Sequence, residues 1–136
     1  MIRFLQAPLV RAMHLELIAE YGGSAGVRDE GLLDSALARP HHLAAYGKPD
    51  FIALAASYAF GISRNHPFID GNKRVAFVCM AVFLELNGWT LTASQQDATE
   101  TMLRLASGEL NEEALVAWVT EHAAPNDEGI SAVGKR

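Results

Sequence analysis

Two stretches of this chain have almost no polar face. Residues 51–64 read FIALAASYAFGISR, and residues 75–84 read VAFVCMAVFL, the longest uninterrupted apolar run in the sequence. A helix that is apolar nearly all round is stable only when other elements cover it. The second run is about half the length a membrane-spanning helix needs, so it belongs in a protein core. Between the two lies a short polar segment in which Pro67 and Gly71 break the helical pattern. Two central helices, over 50–64 and 73–87, joined by a polar loop are the expected spine of the fold.

The remaining elements are read from spacing and punctuation. Val10, Met13, Leu17, Ile18 and Tyr21 recur at helical spacing ahead of Gly22 and Gly23, which end a first helix. Asp29 caps a second helix carrying Leu32, Leu33, Ala36 and Leu37, and Pro40 is expected to stop it. Segment 40–49, PHHLAAYGKP, has no convincing period and reads as a long connection, a kind that is more often functional than decorative. Ser94 with Asp97 gives a capping box for a fifth helix with Ala98, Met102 and Leu105 inward, closed by Gly108. Asn111 caps a sixth, with Leu110 and Leu115 as a hydrophobic staple and Leu115, Trp118 and Val119 facing in. Only 89–92 is strand-like. The segment 124–136 has few apolar residues and no period, and is expected to be a disordered tail behind one domain over 1–123. The expected fold is therefore all-α: a compact bundle of about six helices, with the polar loop between the two central ones.

A chain of 136 residues suits one domain, and half of its residues are apolar, enough for a core without a disulfide or metal staple. The single cysteine, Cys79, lies inside the longer apolar run and reads as a buried core residue. The net charge of −5 argues against non-specific nucleic-acid binding, which needs a basic surface to neutralise phosphates. No signal peptide or membrane span is visible at the N-terminus or elsewhere, and a cytoplasmic location is the expectation.

The chemistry concentrates in one window, RNHPFIDGNKR at 64–74. In an acidic chain, this window holds Arg64, Lys73 and Arg74 against the single acid Asp70, where a buried helix begins. The first N–H groups of a helix have no intrahelical partner, and the dipole there favours anions. Gly71 can take a positive φ and let backbone approach a ligand closely. Together these features suit phosphates. Asp70 offers a hard oxygen for Mg²⁺, and His66 is of the side-chain type suited to taking a proton from a hydroxyl near neutral pH. Each residue also has a plainer reading alone. His66 fits a hydrogen-bonded surface residue, Asp70 a helix cap, and the three cations a solvated turn.

The joint spacing HPFIDGNKR resembles the signature of the Fic/Doc superfamily, whose Fic branch reads HxFx(D/E)GNGRxxR. Lys73 stands where Fic enzymes have their second glycine, and Phe77 stands where they have a second arginine. Both departures resemble the Doc branch, the death-on-curing toxins of type II toxin–antitoxin modules. The stretches GLLDSALARP, HHLAAYG, SYAFGISRNHPF and FLELNGW extend the likeness over about residues 5–122.

The resemblance implies a Fic/Doc-type helical fold and a kinase toxin. It would transfer the terminal phosphate of ATP to a Ser/Thr hydroxyl of a translation factor, elongation factor Tu in the family, and so arrest translation. It also implies roles: His66 as general base, Asp70 as the Mg²⁺ ligand, and Gly71, Asn72, Lys73 and Arg74 holding phosphates, with Arg64 a further candidate. Segment 40–49 matches the family's flap, which docks an extended target by strand addition. A metal site made by His41 and His42 on that flap is disfavoured, because adjacent residues seldom converge on one ion. The alternatives are Fic-type nucleotidyl (AMP) transfer to a protein hydroxyl, and a non-catalytic member that only binds a partner. The inhibitory pattern (S/T)xxxE(G/N) of many Fic proteins has no match here, which implies inhibition in trans by a cognate antitoxin.

Overall fold

Asp29, Asp50, Ser94 and Asn111 each accept a hydrogen bond from the backbone N–H three residues on. The donors are Leu32, Ala53, Asp97 and Ala114, at 2.8–3.0 Å. These caps satisfy donors that a helix start leaves without partners, and they set where four of the helices begin. The computed structural model describes residues 1–47 and 50–126. Within them the order is α1 (Ala7–Tyr21), α2 (Glu30–Tyr46), α3 (Phe51–Asn65), α4 (Asn72–Leu86), β1 (Trp89–Leu91), α5 (Gln95–Ser107), α6 (Glu112–His122) and β2 (Ala123–Pro125). The fold is all-α, with one two-stranded antiparallel ribbon.

α3 and α4 form the centre. Leu54, Ala55, Ala56, Tyr58, Ala59 and Ile62 of α3 are buried against Val75, Ala76, Cys79, Met80, Phe83 and Leu84 of α4. α2 lies close on the other side of α3: a Cβ on Gly61 would stand 3.4 Å from the Ala36 Cα and 2.9 Å from the Arg39 Cδ. α1, α5 and α6 complete the cover, burying Val10, Met102, Leu105, Leu115 and Val119. Burial also pushes the Cys79 thiol up to about 12, so it is an inert core residue.

Two expectations fail here. Pro40 does not stop α2, which runs on to Tyr46 and takes in most of the stretch expected to be a loop. A proline inside a helix removes one hydrogen bond and crowds the preceding turn, at about 3 kcal/mol. Against that, Pro40 itself is buried, Ala44 packs on the core, and the His41 ring stacks on Phe4 with centroids 3.9 Å apart. Tertiary packing outweighs the local penalty. The backbone of 40–46 is thus engaged in α2 rather than offered as an edge for strand addition, and Lys48 and Pro49 lie outside the described residues. His42 lines a cavity with Leu43 and Tyr46, away from the His41 stack.

The second failure is at the C-terminus. Ala124 and Pro125, expected to begin a disordered tail, pair with Thr90 and Trp89 of β1. The rest of that expected tail, 127–136, lies outside the described residues.

The N-terminal segment is tied to the core by polar groups. The Leu5 N–H donates to the buried Tyr58 hydroxyl at 2.9 Å. Burial pushes that hydroxyl from its ordinary 10 up to about 12. An acid raised on folding contributes stability that is whole below its unfolded pKa and is lost as pH climbs to the folded value. Tyr58→Phe should lower unfolding free energy by about 1–3 kcal/mol at neutral pH, because Leu5 N–H loses its acceptor. The variant should also lose less of its remaining stability than wild type between pH 10 and 12. Urea unfolding at neutral and alkaline pH checks both.

Candidate active site

The loop between α3 and α4 is held, residue by residue, by the connection between α1 and α2. His66 is the C-cap of α3, in the left-handed region at φ 51°, and is the one non-glycine with positive φ among the described residues. That conformation costs about 1–2 kcal/mol for an L-residue. It is over-determined by its surroundings. The His66 N–H donates to Ile62 O, while Arg28 Nε and Nη2 donate to the carbonyls of His66 and Asn65 at 2.8 and 2.9 Å. Pro67 O accepts from the N–H groups of Arg28 and Asp29, Val27 bridges Phe68, and Ile69 N–H donates to Gly26 O at 3.0 Å. Phe68 is buried, and its ring anchors the loop to the core.

Asn72 braces the loop from inside. The Phe68 N–H can only donate, so it fixes which end of the Asn72 amide faces it: Oδ1, at 3.0 Å. Nδ2 then donates to Phe68 O at 2.9 Å and to His66 Nδ1 at 3.1 Å. The buried side chain of Asn72 is thereby committed to the loop itself. With Nδ1 accepting, the proton of a neutral His66 ring sits on Nε2 in this arrangement.

Asp70 is exposed, and its carboxylate is held by backbone. Oδ2 accepts from Ser24 N–H at 3.2 Å and Oδ1 from Gly71 N–H at 2.9 Å. Those hydrogen bonds, then the nearby Arg74 and His14, keep its pKa below the ordinary carboxylate value, so it stays ionised near neutrality. It does not cap α4; Gly71 is the N-cap, at φ 77° and with no side-chain bond. The N–H groups of Asn72, Lys73 and Arg74 form the first turn and have no intrahelical acceptor. Lys73 and Arg74 are exposed there, and the Arg74 guanidinium lies 4.5 Å over the Tyr21 ring. Arg64 is not drawn to this group. Its guanidinium sits 5.7 Å over Phe60, beside a cavity of about 420 Å³ lined by Ser63, Ser107 and Asn111.

Sequence reasoning brought His66, Asp70, Gly71, Asn72, Lys73 and Arg74 to one end of the molecule. It missed Ser24, Arg28 and His14. His14 is 2% exposed, donates from Nε2 to Asp70 O at 2.8 Å and stacks on Phe68 with centroids 3.9 Å apart. Its signal was present: it lies on the same helical face as Val10 and Ile18, where a polar residue needs a partner. Nothing local marked Ser24, which acts through its backbone.

An ionised carboxylate, a histidine and a helix start whose first N–H groups lack intrahelical acceptors meet at this loop. The profile of the Fic/DOC family matches residues 4–84, and the chain belongs to that family. Among its curated relatives, the Toxin Doc of Mycolicibacterium smegmatis is 35% identical over 80% of this chain and 87% of its own length. The Protein kinase doc of Escherichia phage P1 is 33% identical over 74% of this chain and 79% of its own.

Gly23 offers a direct test of the clamp. Its φ is 114°, and a Cβ there would stand 2.6 Å from Asp70 Oδ2. Gly23→Ala should destabilise the fold by about 1–3 kcal/mol and displace the Asp70 carboxylate. The thermal melt reports the first effect and a crystal structure of the variant the second. Asn72→Ala should cost about 1–3 kcal/mol by leaving the N–H and C=O of Phe68 without partners.

Proposed function

We propose that this protein is a Doc-type toxin that phosphorylates a Ser/Thr hydroxyl of a translation factor, elongation factor Tu by family likeness, with ATP as donor. The observation that carries this reading is the placement of His66, ionised Asp70 and the open first turn of α4 around one loop. The γ-phosphate transferred in such a reaction develops charge that positioned donors and cations stabilise. In this reading the backbone of Gly71–Arg74 and the side chains of Lys73 and Arg74 hold the triphosphate. Asp70 is suited to a magnesium ion: it is ionised and exposed, and a carboxylate oxygen that accepts one N–H keeps a lone pair. Among the described residues no cluster of three His, Cys, Asp or Glu side chains gathers around it. One carboxylate with substrate phosphates is an ordinary Mg²⁺ environment, in which the ion would neutralise phosphate charge.

His66 takes the proton of the attacking hydroxyl in this reading. The tautomer set by Asn72 has its proton on Nε2, so base action there requires the 3.1 Å contact to Nδ1 to be given up as substrate binds. Kinase rather than nucleotidyl chemistry is favoured by two positions. Lys73 puts a flexible cation where the Fic pattern has glycine. Phe77, in place of the second arginine, is half-buried and packs against the core. An antitoxin acting in trans is the partner implied, and activity without it should arrest growth.

The test is incubation with ATP labelled at the γ or α phosphate, with a bacterial lysate as target source. Label should pass from the γ position only, and His66→Ala should reduce transfer about 10²–10⁴-fold while remaining folded. Lys73→Ala should reduce transfer and weaken nucleotide binding without unfolding. Transfer of α label overturns the kinase reading, and full activity of His66→Ala overturns the role of that histidine.

A further inference from the structure

A histidine that is 2% exposed on the core face of α1 is usually filler, and a phenylalanine would fill the same place against Phe68. His14 differs in one respect: its Nε2 lies 2.8 Å from the carbonyl oxygen of Asp70. A carbonyl can only accept, so Nε2 carries the hydrogen and donates. We propose that His14 is a positioning residue for the catalytic loop, acting through the Asp70–Gly71 peptide. This rests on the phosphate-transfer reading of the site.

A peptide unit is planar, so fixing its carbonyl aims its N–H. At one end of this unit Asp70 O is pulled inward to His14; at the other, Gly71 N–H donates to Asp70 Oδ1 at 2.9 Å. His14 therefore orients, through one rigid plane, the carboxylate suited to a cation. The same plane precedes Gly71, whose φ of 77° sets the direction in which α4 and its first N–H groups start. The His14 ring is also the floor under that glycine: a Cβ on Gly71 would meet Nε2 at 3.6 Å and Ile18 Cδ1 at 3.3 Å. Stacking on Phe68 at an interplanar angle of 13° holds the imidazole in the orientation the hydrogen bond requires. One side chain of α1 thus ties the apolar anchor of the loop to its polar working end. Misplacement of a reacting group by about 1 Å costs on the order of 10²-fold in rate, which is the scale of effect at stake.

The experiment compares wild type, His14→Phe and His14→Gln. Phenylalanine keeps the stack and removes the donor; the glutamine Nε2 reaches to nearly the same point as the histidine Nε2 but gives up the stack. His14→Phe should melt close to wild type, yet lose about 10–100-fold in kcat for phosphate transfer at saturating ATP. Its Gly71 amide, which donates to Asp70 Oδ1 in the wild type, should exchange with solvent about 10-fold faster, the loss of roughly one hydrogen bond. His14→Gln should recover most of both kcat and protection while melting lower. A phenylalanine variant with wild-type kcat and wild-type exchange overturns the proposal, as does a folded glutamine variant no better than phenylalanine. Should the glutamine variant fail to fold, the phenylalanine variant decides alone. If wild type transfers no phosphate, the functional reading fails, and amide exchange by itself decides the role of His14.

Discussion

Phe68 has to be buried, and the polar residues on either side of it have to stay in reach of solvent. That conflict is resolved in a few residues between the two helices that supply much of the buried core. The Phe68 ring goes into the core under His14, and its N–H and C=O are both satisfied by the amide of Asn72. A buried backbone group left without a partner costs more than most single contacts return, so this double bond to one side chain is what makes the turn tenable. With Phe68 fixed, His66, Asp70 and Gly71 emerge beside it in set directions. The left-handed turn at His66 follows from the same constraint, since the chain must reverse within a few residues to bring α4 back along α3.

The electrostatics depend on that geometry rather than on overall charge. The chain is acidic as a whole, with a net charge of −5, yet the loop end carries Arg28, Lys73 and Arg74 beside a helix N-terminus. Arg28 is already engaged with the carbonyls that close α3, and Arg74 leans on Tyr21. Lys73 remains exposed and makes no ion pair among the described residues. A cation at the positive end of a helix dipole is unfavourable unless an anion joins it. Asp70, held by two backbone N–H groups, keeps its negative charge in the middle of this field. The arrangement holds one carboxylate ionised beside a helix start whose N–H groups lack intrahelical acceptors.

Much of the fold was legible because its signals are local. A cap such as Asp50 or Ser94 acts three residues away, and the apolar runs of α3 and α4 demand burial whatever surrounds them. Pro40 misled for the same reason: its penalty is local, whereas the packing of Ala44 and the Phe4–His41 stack that outweigh it come from elsewhere in the chain. β1 was visible as a strand-like stretch, but its partner at 123–125 is more than thirty positions on and carries no strand pattern of its own. The site divides likewise. His66, Asp70 and Lys73 stand out by type and spacing. The clamp acts through the backbone of Ser24, Gly26, Val27 and Arg28 and through the Arg28 guanidinium, and could be found only in three dimensions, as could the inward turn of the Asn72 amide onto Phe68.

On the proposed reading, this loop moves a terminal phosphate, not a nucleotide, onto a protein hydroxyl. The most direct measurement is the mass of purified elongation factor Tu and of its peptides after incubation with the protein, ATP and magnesium. A single phosphate on a serine or threonine side chain, absent when His66→Ala replaces wild type, is the predicted result. A nucleotide monophosphate in its place, or an unmodified factor under conditions where the wild-type protein arrests translation, would contradict it.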